Sequence, residues 1–376
     1  MASAATSPAH VHVEALQTAL PTRVVEAPGR ARPVAVRAPP LPAAALQRRA
    51  SVVLYYRAGA GGAGGAAPSR GEEGMLVKES LSEALADHPE MAGRLRRRAD
   101  GSWEVKLNDT GVRLVTATAE GAVEDFLGAA GDDRARWEAA LAPWTDVNAE
   151  DPDMCALCFV QLTRFQGDGG YAIGVSCSLM LSDPLSLARF LLSWARTHAA
   201  LKAQNKLATK PVMQYVGYMQ RPDAMTRRLK SIKLDALAAT GGAGVETVLF
   251  RAPAGAGAPD DDHRALARAC VDQASESLGA GKVPRFSVVV VSKAGDGGSL
   301  GGMSVETCTA DELPAPGGGA HELEVAQWRE LGLEELVLRD SKPAHVSYSI
   351  VTGGDEGLVV VMPDGDGYLV TATVPK

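Results

Sequence analysis

Leu76, Leu81 and Leu85 recur at near-helical spacing and predict a helix over residues 75–86. His88-Pro89 stops it, because proline disfavours the helical conformation of the residue before it. The β-branched and aromatic run at 51–57 predicts a strand, ending in the Gly/Ala loop of residues 58–67. Residues 103–107, a turn at 108–111 and residues 112–117 read as strand, turn, strand. Short helices are predicted near 122–127 and 134–141. Two further apolar runs, 156–165 and 171–178, flank Gln166-Gly-Asp-Gly-Gly170 and read as a hairpin. Residues 184–203 then carry Leu187, Phe190, Leu191 and Trp194 on one side of a long helix, a stripe wide enough to be well buried.

The remaining pattern is sparser. The first 50 residues hold one short strand candidate, 11–16, among proline-rich stretches expected to lie along the body as extended chain. Residues 205–233 contain Pro211 and Pro222 among several cations, which suits a surface crossover. Beyond it come a strand at 246–250, a helix at 263–278 and Phe286-Ser-Val-Val-Val-Val291, a continuous apolar strand of the kind buried on both faces. Strands at 345–350, 357–362 and 368–373, joined by Gly/Asp turns, close the chain. The sum is a mixed α/β chain with an N-terminal domain over 1–204, a linker over 205–235 and a C-terminal domain over 236–376.

Composition narrows the chemistry. A net charge of -7 argues against a nucleic-acid partner, because phosphate binding needs concentrated Lys and Arg. The one dense basic run, 94–98, is expected at a helix end as a solvated face. The cysteines, at 155, 158, 177, 270 and 308, are odd in number without disulfide-framework spacing, which points to a reducing compartment. Cys155 and Cys158 form a lone C-x-x-C on an expected strand, where residues three apart face opposite sides, so no metal or redox site is expected. Asp260, Asp261 and Asp262 are expected to be solvated or to cap the helix after them. The Gly-Gly runs at 61–65, 241–242 and 317–319 lack the Lys-Ser/Thr of a phosphate loop and read as loops. No apolar run is long enough to span a membrane, and the N-terminus lacks the pattern of a secretory signal, so a cytosolic protein is expected.

Several segments resemble, in order, the plant BAHD family of CoA-dependent acyltransferases. They are residues 76–95 with their Pro89-x-x-x-Gly93-Arg94 ending, 108–113, 159–165, 174–194 and, more thinly, 341–350. The resemblance implies a two-domain fold of mixed sheets flanked by helices, with an interdomain channel and acyl-CoA as co-substrate or ligand. It also implies a His-x-x-x-Asp motif whose histidine is the general base and whose aspartate is structural. In this register Asp183 is present, and Leu179 stands where the histidine would be. The family's Asp-Phe-Gly-Trp-Gly motif falls on Val337-Leu-Arg-Asp-Ser341, which keeps none of its residues.

No other histidine (10, 12, 88, 198, 263, 321, 345) is followed by aspartate four residues later. His88 is expected at a helix end or the surface, and His198 at the surface on the far end of its helix. Ser176, Cys177 and Ser178 are expected to pack or hydrogen-bond rather than act as nucleophiles, since no base accompanies them. Asp183, just before Pro184, is in the N-cap position of the long helix.

Within that family the chain is similar to the eceriferum/glossy branch of cuticular-wax proteins, at residues 108–115, 342–350 and 357–363. This implies a catalytically inactive, monomeric accessory protein promoting very-long-chain fatty acid elongation. Its partner would be a fatty-acid elongase condensing enzyme at the cytosolic face of the endoplasmic reticulum. The alternatives are an acyltransferase acting on a hydroxyl or amine acceptor, and a module that only binds an acyl chain.

Overall fold

The computed structural model describes residues 11–24, 31–37, 41–58, 70–204, 244–253, 262–292, 301–310, 323–354 and 356–375. The crossover at 205–235, the Gly/Ala loop from residue 59, the three Gly-Gly runs, His10, His321, Asp260 and Asp261 lie outside the described residues. Within them the chain forms strands β1 (Val11–Ala19), β2 (Ala31–Val36), β3 (Arg49–Tyr56), β4 (Arg94–Arg97) and β5 (Trp103–Lys106). There follow β6 (Val112–Ala119), β7 (Cys158–Phe165), β8 (Tyr171–Ser178), β9 (Val245–Pro253) and β10 (Arg285–Val291). The last are β11 (Met303–Thr309), β12 (Glu324–Ala326), β13 (His345–Val351), β14 (Gly357–Asp364) and β15 (Gly367–Pro375). The α-helices are α1 (Arg70–Asp87), α2 (Val123–Gly128), α3 (Gly131–Leu141), α4 (Pro184–Ala203) and α5 (Asp262–Leu278).

Two mixed sheets organise this α/β fold. The first runs β1-β6-β7-β8-β3-β13, and the second β12-β9-β15-β14-β10-β11-β2-β5-β4. In the first, β7 and β8 form the expected hairpin, and every residue of β8 is buried, because both faces of this central strand are covered. Val53, Tyr55, Ala117 and Ala172 pack under Phe126 of α2 and Leu141 of α3. Leu54, Tyr56 and Ile173 face the other way, into a core shared with Leu81 and Leu85 of α1 and Phe190 and Trp194 of α4. Gly174 permits the close approach of α3, since a Cβ there would stand 1.9 Å from the Leu141 carbonyl oxygen.

The second sheet alternates in the same way. Val289, Leu358, Val360 and Met362 join the core that faces the first sheet, whereas Val288, Val359 and Val361 pack under α5. Such alternation is the period-2 signature of a strand covered on both sides.

Three expectations are corrected. The strand candidate at 11–16 forms as β1, paired with β6, but the stretch after it is not simply extended chain: β2 lies between β11 and β5 in the second sheet. Residues 103–107 and 112–117 are not a hairpin, because β5 belongs to the second sheet and β6 to the first, so the turn between them is a crossing point. The three final strands form as expected, β13 pairing with β3 in the first sheet while β14 and β15 pair in the second. The basic run begins as strand β4 rather than at a helix end. Arg94 is buried there and donates to the carbonyl oxygens of Gly93, Gly111 and Thr110, while Arg96 and Arg98 clamp the buried Glu104 carboxylate.

Candidate functional site

The segment that follows β8 is a tight, self-satisfied turn. Ser178 accepts from the Leu181 and Ser182 amides through its carbonyl, at 2.9 and 3.0 Å, and from the Met180 amide through its hydroxyl, at 3.2 Å. The Leu179 amide donates to the Arg48 carbonyl at 3.0 Å. Leu179, Met180 and Leu181 are each 0% exposed, so the alkyl side chain at 179 is packed into the core. The turn ends at Asp183, whose backbone is extended (φ -77°, ψ 164°) and whose carboxylate accepts from the Ser186 amide at 2.9 Å and the Ser186 hydroxyl at 2.6 Å. Pro184, with its φ preset and no N–H to lose, occupies the first turn of α4.

Two buried arginines hold this turn between the sheets. Arg32 of β2 donates through Nη2 to the carbonyl oxygens of Met180 at 2.8 Å and Leu181 at 2.5 Å. Arg48 donates through Nη2 to Ser287 Oγ of β10 at 2.7 Å and through Nε to the Thr352 carbonyl at 3.2 Å. Burial lowers both guanidinium pKa values, that of Arg48 to about 10, with Glu356 opposing. For Arg32 the nearby charges of Glu90 and Asp183 oppose the burial. Arginine keeps its proton even so, and each cation here stitches one sheet to the other.

The neighbouring nucleophile candidates are occupied. Ser176 donates to the Ala142 carbonyl at 2.8 Å and shares a contact with Ser51 Oγ at 3.2 Å. Cys177 lies opposite Cys158 across the hairpin. Its hydrogen bond to Cys158, together with complete burial, pushes the thiol pKa well above its ordinary range, so the nucleophilic thiolate is suppressed. Cys155 is not on the strand: it follows the Pro152–Met154 turn, β7 starts at Cys158, and its sulfur accepts from the Asn148 amide at 3.2 Å. Among the described residues no group of three His, Cys, Asp or Glu side chains is arranged to hold a metal ion.

Each of the described histidines has a partner of its own. His12 meets Glu120, His345 meets Arg134, and His263 packs edge-on against Tyr368. His88 is half-buried, its ring edge-on to Phe190 of α4 with centroids 5.3 Å apart. His198 corrects the sequence expectation of a surface residue, being 3% exposed with Nδ1 3.0 Å from Ser80 Oγ on α1. Ser80 donates its single hydroxyl proton to the Val77 carbonyl and accepts from Trp194 Nε1 at 3.0 Å. Nδ1 of His198 and Ser80 Oγ thus share one hydrogen bond inside the core. Burial, then the cations Lys202 and Arg339, lower its pKa to about 4. Positions 187, 191, 194 and 198 follow one helical stripe, a signal that places His198 in the core.

Val337-Leu-Arg-Asp-Ser341 forms a tight turn closed by Leu338 and Ser341, with Arg339 and Asp340 at φ 52° and 63°. Tyr171 and Tyr56, stacked 4.4 Å apart, donate to the carbonyls of Leu338 and Leu336 and dock the segment on the first sheet. A crevice beside the start of α4, between Pro184, Leu187, Ser51 and Tyr348, measures about 10 Å3, room for a single water. No helix among the described residues is long and apolar enough to cross a membrane.

Comparison with known proteins adds the following. The chain is 36% identical over 127 residues to hydroxycinnamoyl-CoA:piscidic acid hydroxycinnamoyltransferase of Actaea racemosa, covering 34% of this chain and 27% of that protein. It is 33% identical over 128 residues to Protein ECERIFERUM 26-like of Arabidopsis thaliana, covering 34% of this chain and 29% of that one. The alignments thus span less than a third of these relatives' own length. Among solved structures, vinorine synthase superposes over 97% of this chain and 95% of its own, with a TM-score of 0.49 at 15% identity. Residues 69–244, which include the turn from Leu179 to Asp183, match the family model described as Transferase family.

Proposed function

We propose that the chain is a catalytically inactive BAHD-type accessory protein that promotes very-long-chain fatty acid elongation through a fatty-acid elongase condensing enzyme. The observation that carries this reading is Leu179, fully buried at the position the resemblance gives to the general base. Proton removal by a positioned base is worth about 10²–10⁴ in rate, and leucine supplies none of it. The histidine contacts described above lie elsewhere, and the Cys177 thiol is held protonated. Similarity to an ECERIFERUM 26-like protein supports the branch within the family. Co-expression in yeast with a plant elongase condensing enzyme tests it. The reading expects longer acyl products, with Leu179→His not required, and an unchanged chain-length profile with every condensing enzyme tried refutes it.

One set of observations favours a second reading. The similarity to hydroxycinnamoyltransferases supports an acyl-CoA-dependent transferase that acts on a hydroxyl or amine by positioning, with water taking the proton. That reading requires acceptor-dependent release of free CoA.

A further inference from the structure

Cys158 and Cys177 stand directly opposite each other across the β7–β8 hairpin. The backbone bonds show which kind of pair they make. The Ser178 amide donates to the Leu157 carbonyl at 2.8 Å and the Phe165 amide to the Gly170 carbonyl at 2.9 Å, so 157/178 and 165/170 are hydrogen-bonded pairs. Such pairs alternate along an antiparallel ladder, which makes 158/177, one step from 157/178, a non-hydrogen-bonded pair. The two Cα atoms of that kind of pair are about 4.5 Å apart, with the side chains close together on one face. That separation falls within the range of about 4.4–6.8 Å that a disulfide spans. The two thiols are already joined by a hydrogen bond, and neither is bridged. Cys155 is outside this pair: it precedes β7, and its sulfur accepts from the Asn148 amide at 3.2 Å and donates to the Asp151 carbonyl at 3.5 Å.

Position in the hairpin decides how the pair is reached. Both sulfurs are buried in the core, but Cys158 is the first residue of β7 and Cys177 the last but one of β8, so they close the open end of the hairpin. Element ends open locally at lower cost than element centres, and the pair is exposed by such opening without loss of the sheet. The bond to Cys158 and complete burial hold the Cys177 thiol protonated, which leaves Cys158 as the attacking sulfur and Cys177 as the resolving one. The next residue, Ser178, anchors the Leu179 turn through its carbonyl and its hydroxyl. A covalent bond at 158/177 therefore ties to its neighbour the strand that carries that turn.

We propose that Cys158 and Cys177 are a redox-active pair, which a low-molecular-weight disulfide such as oxidised glutathione converts to a reversible cross-strand disulfide. The Cys158 sulfur loses its proton to solvent and attacks one glutathione sulfur, and the other glutathione departs as thiolate. Cys177 then attacks the Cys158 sulfur of the mixed disulfide and releases the second glutathione. Two protein thiols are oxidised, and one glutathione disulfide is reduced to two thiols. The proposal is independent of whether the chain catalyses acyl transfer. Incubation of the full chain with oxidised glutathione tests it, once in buffer and once in urea below the unfolding midpoint, so that local opening does not limit the reaction. Acid quenching, alkylation of the remaining thiols and tryptic mapping follow. Cleavage after Arg164 puts Cys158 in the peptide 137–164 and Cys177 in the peptide 165–189. The expected result is a loss of two thiols per chain and a single linkage of Cys158 to Cys177, reversed by dithiothreitol. Cys155→Ser should keep that linkage and Cys177→Ser should lose it. A linkage through Cys155, a mixed disulfide that does not resolve, or free thiols at both positions in both incubations overturns the proposal. Fragmentation of the linked peptides from the unaltered chain separates Cys155 from Cys158 even if a variant fails to fold.

Discussion

Acidification should destabilise this protein through His198. The folded imidazole is held at about 4 by burial and by Lys202 and Arg339, with Asp340 partly opposing, against an ordinary value of 6.5. The unfolded chain therefore binds a proton in a range where the folded chain refuses it. Stability present above pH 6.5 is lost as pH falls towards 4, because the unfolded state binds more protons. At about 1.4 kcal/mol per unit, the loss is about 2 kcal/mol at pH 5 and about 3 kcal/mol below pH 4. Carboxylates titrate lower, and His345, also held down by burial and by Arg134, acts in the same direction, so the slope must be read by difference. His198→Asn is the control: its amide can donate near the Nδ1 position and does not titrate. Urea unfolding of both proteins at pH 7 and pH 5 gives the two differences. The wild type should lose about 2 kcal/mol more than the variant between those values. A difference under about 0.5 kcal/mol, or a variant that is the more acid-sensitive, refutes the buried, neutral imidazole.

Other substitutions probe the turn and its supports. Asp183→Ala removes the α4 cap and should cost about 1–2 kcal/mol by urea unfolding, with Asp183→Asn recovering most of it. Arg32→Met strips the Met180 and Leu181 carbonyls of their donor and should cost about 2–4 kcal/mol in the same assay; a neutral result would show that the inter-sheet pin contributes nothing. Asp340→Gly relieves a left-handed residue and should raise the melting temperature, by about 1 kcal/mol in stability, because its ion pair with Lys202 is exposed and worth little.

Local features were legible where one segment carried its own signal. The β7–β8 hairpin announced itself by Gly/Asp between apolar runs, and α4 by a stripe that starts at Asp183-Pro184. Partner choice was not legible, since the turn at 108–111 has the same residues whether its flanking strands pair together or part into two sheets. Residues 31–36, with Pro33, lay in a proline-rich stretch expected as extended chain, yet β2 sits within the sheet between β5 and β11. The alternation of Met303, Val305 and Thr307 marks β11, a signal present in the sequence but easily lost between glycine-rich stretches. The arginines of 94–98 resembled a solvated face because their partners, Glu104 and three backbone carbonyls, come together only in the fold. At the candidate site the alkyl residue at 179 was legible from register alone, whereas the buried arginines at 32 and 48 were not, since a lone Arg in a sequence gives no sign of burial.

Free thiol release from a panel of acyl-CoAs, by the purified chain with alcohol and amine acceptors between pH 6 and 9, tests the central claim most directly. With leucine packed at position 179 and no histidine contact at the turn among the described residues, release should equal that of buffer at every pH. Saturable, acceptor-dependent release above buffer would contradict the account and establish a transferase in its place.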